Sequence, residues 1–399
     1  MAAPPATDTH PSRWRQLGVI AVAELLGMSL WFAASAVSAQ YQTQWSLTSS
    51  EAAWLTTIVQ LGFVGGTALS ALLNLADVIP TRRLFAVSAL VAAAANAMML
   101  TAAALPAALV WRFCTGFCLA GVYPPAMKMV ATWFQARRGL AVGTVVGALT
   151  VGKALPFLVK AIPGATIVNV TLSASAGALA AAVLVYVGYR EGPYPFPPRK
   201  FSWGLVGDVV RERRWRLAMG GYLGHMWELY AAWTWLPVFI AASVVAHDGN
   251  ASGARAASVI GFLALAVGGI GCVWGGIAAD RHGRAWLVNL AMGISGSCAL
   301  LIGLAFGRSL WLLTPIALVW GFFVIADSAQ FSVMVTESVP PHAVGTALTL
   351  QTSAGFLLTA GVIQLVPMLA GWWGWAWAFT LLAAGPGAGM LVVRKLRRL

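Results

Sequence analysis

The stretch "ELYAAWTW" (Glu228–Trp235) restates "ELLGMSLW" (Glu24–Trp31) 204 positions further along the chain, glutamate first and tryptophan seven residues later. One such match is weak evidence. Three more follow in order: "VGG" at 64–66 and 267–269, after which Asp77 corresponds to Asp280; "LVWRF" at 109–113 and "LVWGF" at 318–322; and "AVGT" at 141–144 and 343–346. The offsets stay between 202 and 209. Two similar halves therefore follow one another in the chain.

Each half is built from apolar runs. Of 399 residues 59% are hydrophobic and only 9% charged, against about 25% charged in ordinary soluble domains. Runs of 18 or more apolar residues read as membrane helices, and about twelve recur. The first six cover 16–38, 52–75, 83–105, 107–131, 139–159 and 166–189; the second six cover 216–243, 256–279, 285–306, 310–333, 343–367 and 373–393. The expected architecture is an all-α membrane protein of twelve transmembrane helices in two six-helix pseudo-symmetric halves. Parallel repeats of this kind place a binding site between the halves near mid-membrane, with rocking motion around it.

The formal net charge of +13 is a topology signal. Arg13, Arg15, Arg82, Arg83, Arg137, Arg138, Arg281 and Arg284 fall in alternate breaks, with the basic residues between 190 and 216 and the tail "RKLRRL"; the opposite breaks hold only Lys160, Arg255 and Arg308. Lysine and arginine favour cytoplasmic loops, so both termini are expected inside, in a bacterial cytoplasmic (inner) membrane. Anionic lipid headgroups are then the natural partner of these charges, and nucleic acid is not. The first fifteen residues carry no cleavable signal pattern. Cys114, Cys118, Cys272 and Cys298 all lie within spans and suggest apolar packing rather than a disulfide framework.

The domain division is a cytoplasmic tail 1–15, a six-helix half 16–189, a cytoplasmic linker 190–215, a second half 216–393 and a basic tail 394–399. In the linker, prolines forbid regular helix at first. Phe201, Trp203, Leu205, Val206, Val209 and Val210 then accompany basic residues, which suits an amphipathic helix on the inner membrane face; a disordered basic linker is the alternative.

At this point the chain resembles the major facilitator superfamily over nearly its whole length. "GGIAADRHGR" (Gly275–Arg284) matches that family's loop motif, and "WRFCTGFCLAGVYPP" followed by "WFQARRG" is similar to its arginine-bearing fourth span. The resemblance implies that Asp280 meets the start of span five and Asp77 the start of span eleven, where anions are favoured at helix N-termini. Arg82, Arg83, Arg281 and Arg284 belong to the same cytoplasmic gating set. The first copy, "LADVIPTRR", departs from the motif: Val78 replaces the basic residue and Pro80 the turn glycine. Span five, "GALTVGKALPF", lacks the Gly-Pro pair common in family antiporters, which tilts the reading toward symport or facilitated transport. Gly143, Gly147 and Gly152 suit close helix packing. There is also a distant likeness to the bacterial nitrate/nitrite branch, but the arginines of its spans two and eight are missing here.

Ionisable residues inside spans are functional candidates, each with a partner to be named. The resemblance implies that spans one, four, seven and ten line the cavity, and Glu24, Arg112, Glu228 and Asp327 fall on them. Glu24, Glu228 and Asp327 are candidates for proton coupling, since membrane carboxylates work in proton relays. The plainer reading of the two glutamates is that they hydrogen-bond neighbouring helices. His225 lies one turn from Glu228 on the same helix face, and histidine titrates near neutral pH. Arg112 and Lys153 have glycines at the matching repeat positions, Gly321 and Gly355. Either they grip a substrate oxyanion, or Arg112 pairs with Glu24 and Lys153 with a local carboxylate. Trp31 and Trp235 are candidate substrate contacts; Lys128 and Glu337 sit near cytoplasmic ends and stay outside the site.

The reading that joins these features is a secondary active transporter, monomeric, moving a small anionic organic solute by alternating access with possible proton coupling. The alternative is a proton-linked exporter of cationic or amphipathic drugs, resting on the carboxylates and aromatic residues. A transition-metal importer using His225, Met226, Cys114 and Cys118 is a third, narrower reading. No nucleophile–base arrangement, phosphate loop, metal signature or cofactor motif is present, so neither an enzyme nor a cofactor is expected.

Overall fold

A computed structural model describes residues 10–135, 137–195, 202–249, 253–340 and 342–396, apart from the side chains of Ala76 and Asp77. Parts of the N-terminal tail, the linker and the C-terminal tail thus lie outside the described residues. Among those described the chain is helical throughout, and eleven helices are long and apolar enough to cross a membrane.

The twelfth span is the first, and it is interrupted. Its helix α1 (Arg13–Gly27) gives way to a 3-10 turn at Met28–Leu30, then to α2 (Ala33–Ala36) and α3 (Ser38–Trp45). The remaining spans of the first half are α4 (Ser49–Leu72), α6 (Thr81–Met98), α7 with α8 (Leu105–Leu119, Tyr123–Ala131), α9 (Arg138–Lys160) and α10 (Ile167–Gly188); the short α5 (Leu75–Val78) precedes α6. After the linker helix α11 (Trp203–Arg211), the second half holds α12 (Arg213–Asp248), α13 (Ala254–His282) and α14 (Arg284–Leu301). It continues with α15 and α16 (Leu310–Ala326, Ser328–Glu337), α17 (Val344–Trp373) and α18 (Ala384–Leu396). The linker helix buries Val209 and leaves Trp203 exposed.

Local sequence explains where helices begin. Thr48 and Glu51 form a capping box at α4, and Thr166 with Asn169 forms another at α10, each satisfying donors that a helix start leaves unpaired. The two copies of the loop motif differ for a visible reason. Gly283, at φ +88°, turns α13 directly into α14. The first half has no glycine there, so the chain turns at Asn74 (φ 51°) and adds α5 before Pro80 leads into α6.

The repeat is real at the level of packing. A Cβ atom on Gly116 would lie 2.2 Å from the Val59 carbonyl oxygen, and one on Gly321 would lie 1.8 Å from that of Ala264. The same backbone contact thus joins spans two and four and spans eight and ten, both partners displaced by 205 positions. The motif match that pairs Arg112 with Gly321 is therefore one helical turn out of register: Gly116 is the structural counterpart of Gly321. Across the halves, α9 packs on α13 with Gly147 against Gly269, each so close that a Cβ would come within 2.9 Å of the other's carbonyl oxygen. Close approach through small residues is how helices associate in lipid.

Exposed aliphatic side chains such as Leu172, Val183, Val187, Leu300 and Leu301 cover the outer faces of α10 and α14. Trp311, Trp372, Trp373 and Trp377 are exposed at one end of spans ten to twelve, as in an interfacial aromatic belt.

Candidate functional site

The break in span one leaves carbonyl groups outside the helical ladder, and in a bilayer such groups need an internal partner. Arg112, fully buried on α7, supplies it. Its Nη1 donates to the Leu30 carbonyl at 3.0 Å, its Nη2 to that of Trp31 at 2.6 Å, and its Nε to that of Leu55 at 3.1 Å. Nη1 also reaches Asn96 Oδ1 at 3.3 Å, and Asn96 is itself fixed by donating to the Thr171 carbonyl and Ser175 hydroxyl. Four of these contacts occupy most of a guanidinium's five N–H groups. The pair with Glu24, one of the two readings left open by the sequence, is not formed in this conformation. The arginine clamps spans one, two and four together, and its fork is taken up by backbone.

Lys153, on α9, is buried and faces the opposite half. Its Nζ donates to the Tyr230 hydroxyl of α12 at 2.5 Å. The ammonium also lies 4.4 Å from the Trp31 ring centre, 4.8 Å from Tyr230 and 5.6 Å from Trp233. Phe356 closes the group, 5.4 Å from Trp31 and 5.1 Å from Tyr230. Cations sit favourably over such ring faces, most of all when desolvated. Among the described residues no carboxylate comes within ion-pair distance of Lys153. Glu24, fully buried on α1, is near enough for the two charges to act on one another. Among the described residues, both of its carboxylate oxygens lack a hydrogen-bond partner, and so do the indole N–H groups of Trp31 and Trp233.

A second polar cluster lies within the second half. Glu228 Oε1 accepts from the Trp320 indole N–H at 2.7 Å and Oε2 from the Ser295 hydroxyl at 2.8 Å, so this carboxyl joins spans seven, nine and ten. His225 turns away from Glu228. Its Nδ1 lies 3.0 Å from Asp327 Oδ1, both groups buried, and its ring rests against Phe331. The spacing suits an ion pair, and among the described residues Asp327 Oδ1 and His225 Nε2 have no hydrogen-bond partner. Asp327 stands where α15 breaks from α16.

The sequence-derived candidates therefore separate into three groups. Lys153, Trp31 and Glu24 come together at the junction of the halves; Glu228, His225 and Asp327 form the second cluster; Arg112 serves the span-one break. Trp235 belongs to none of these, since its N–H donates to the Ile363 carbonyl at 2.8 Å and its ring meets Trp375. Tyr230, Trp233 and Phe356 were not anticipated. A signal existed: Tyr230 and Trp233 are one turn apart, but the repeat drew attention to Trp235 instead.

Of the gating set, the Asp77 side chain falls outside the described residues. Asp280 is exposed at the end of α13, without a hydrogen bond or ion pair among the described residues, and Arg83 and Arg281 are exposed. Arg82 lies over the Tyr186 ring at 5.5 Å. Arg284 pairs with Glu337, joining the start of span nine to the end of span ten. Among the described residues, no three His, Cys, Asp or Glu side chains gather as a metal site requires.

Comparison with known proteins agrees with this architecture. The sequence profile of the Major Facilitator Superfamily matches residues 19–363. No curated protein sequence matches significantly. Among solved structures, a bacterial homolog of the human lysosomal transporter Spinster, inward-facing and unoccupied, superposes with TM-score 0.74 at 15% identity, covering 98% of each chain. A variant of the nucleoside transporter NupG gives 0.73 at 14% identity over 96% of this chain and 99% of its own. The human organic anion transporter MFSD10 gives 0.68 at 15%, over 96% and 100%.

Proposed function

The chain belongs to the Major Facilitator Superfamily, and on that premise we propose that it moves a small solute bearing an anionic group by alternating access, together with a proton. Lys153 receives the anionic group and Glu24 carries the proton. One observation carries the reading: a buried lysine at the seam of the two halves has a phenol and ring faces around it but, among the described residues, no carboxylate at ion-pair distance. A buried charge is costly unless paired, so an incoming carboxylate supplies what the site lacks.

The neighbouring Glu24 gives the coupling its direction. Ionised, it competes with the solute for the attraction of Lys153; protonated, it leaves that charge to the solute. Anion and proton then bind together, which is symport, and by linkage each raises affinity for the other. Solute affinity is expected to fall as pH rises. MFSD10 illustrates that the fold can carry organic anions. The basic residues support an orientation with both termini cytoplasmic, in a bacterial inner membrane.

Uptake into proteoliposomes tests the assignment. With carboxylate solutes, Lys153→Gln is expected to abolish uptake. Glu24→Gln is expected to keep solute exchange while losing accumulation driven by a proton gradient. Carboxylate uptake at unchanged affinity in Lys153→Gln removes the lysine from the site. The rival reading, export of cationic or amphipathic compounds, draws on the rings around Lys153. It predicts the opposite effect, with Lys153→Gln freeing the rings and tightening binding of organic cations.

A further inference from the structure

We infer that the solute is a small zwitterion, whose carboxylate draws Lys153 away from the aromatic group and whose methylated ammonium takes its place there. This rests on the reading that Lys153 receives an anionic group. The site holds more than one lysine can use. Three ring faces, Trp31, Tyr230 and Trp233, surround a single ammonium at 4.4–5.6 Å. That is the environment in which quaternary ammonium ligands are recognised.

Charge and hydrogen bonding both favour an occupant of two signs. If a plain anion pulled Lys153 toward itself, the rings would lose their cation. A zwitterion refills the rings. The unmatched polar atoms are also of both kinds. Among the described residues, the Trp31 and Trp233 indole N–H groups are buried donors without acceptors, which a carboxylate can supply. The Glu24 carboxyl, which carries the proton, is the unmatched acceptor group beside them.

The rings further distinguish a methylated ammonium from a primary one. Among the described residues the Lys153 Nζ makes one hydrogen bond, to the Tyr230 hydroxyl, whereas a primary ammonium brings three N–H donors. Methyl groups against ring faces need no acceptors. The rings come from both halves, Trp31 from the first and Tyr230 with Trp233 from the second. A solute held this way ties the halves through its cation as Lys153 ties them through its own.

The test uses the purified full chain in lipid nanodiscs, with ligand binding followed by thermal stability and tryptophan fluorescence. The probes are trimethylammonio carboxylates with one to four methylenes between the charges, beginning with glycine betaine. Their anionic tert-butyl isosteres, in which a neutral carbon replaces the quaternary nitrogen, beginning with 3,3-dimethylbutyrate, and choline complete the set. The inference predicts that at least one zwitterion binds at least tenfold more tightly than both its isostere and choline. If an isostere binds as well as its zwitterion, the rings do not read a cation and the inference fails, while the anionic reading stands. If choline binds as well as the best zwitterion, both fail. If no member of the series binds, the inference is overturned.

Discussion

Arg112 is fully buried on α7 with its guanidinium committed to backbone carbonyls. Its isolation within an apolar span is plain in the sequence, but its partners are the carbonyls of Leu30, Trp31 and Leu55. The Leu30 and Trp31 carbonyls are free because span one is interrupted, which its hydropathy does not reveal, while that of Leu55 belongs to the continuous helix α4. Arg112→Ala leaves buried carbonyls unmatched, each costing about 1–3 kcal/mol, so the thermal midpoint of the purified protein should drop sharply. Arg112→Lys should not restore it, because a point charge cannot span three separated acceptors. An unchanged midpoint with lost solute affinity would return the arginine to the solute site. Glu228 is the counterexample, where the plainer sequence reading agrees with the geometry: its two oxygens are both held by donors from neighbouring spans. Glu228→Gln replaces one acceptor by a donor, for a cost of about 1–3 kcal/mol, and should leave proton-coupled uptake in place. Loss of coupling with stability intact would make Glu228 the proton carrier.

At the scale of elements, apolar run length located eleven spans well, because one helix crossing a bilayer needs about 20 apolar residues. Register was harder. The "LVW" match suggested one alignment of spans four and ten, and the glycine contacts corrected it by a turn, since packing follows small residues rather than the motif around them. The seam of α9 and α13 carries the next prediction. Gly147→Val would force a branched side chain against the Gly269 backbone, at a cost typical of overpacking, about 1–3 kcal/mol. Gly139→Val, at the open start of α9, meets no heavy atom within 4 Å and serves as the control. Lower thermal stability and slower uptake are expected for the first variant alone; equal behaviour of the two would mean that the close approach is unnecessary.

At the scale of the molecule, polar side chains join the halves at two places among the described residues. Lys153 reaches Tyr230, and Gln364 on α17 donates to the Thr57 hydroxyl at 3.0 Å. The repeat made two halves readable from sequence, and with them the seam at which the proposed site lies. The ring group was not readable, because its members come from spans one, seven and eleven and only the fold assembles them around the lysine. The account stands on that lysine. The most direct test is a thermal-stability screen of small carboxylates against the wild-type protein and Lys153→Gln. A ligand at 100 times its dissociation constant stabilises the folded state by about 2.7 kcal/mol, a shift easily measured. The account predicts that a carboxylate raises the wild-type midpoint and leaves that of Lys153→Gln unmoved; equal shifts in both would contradict it.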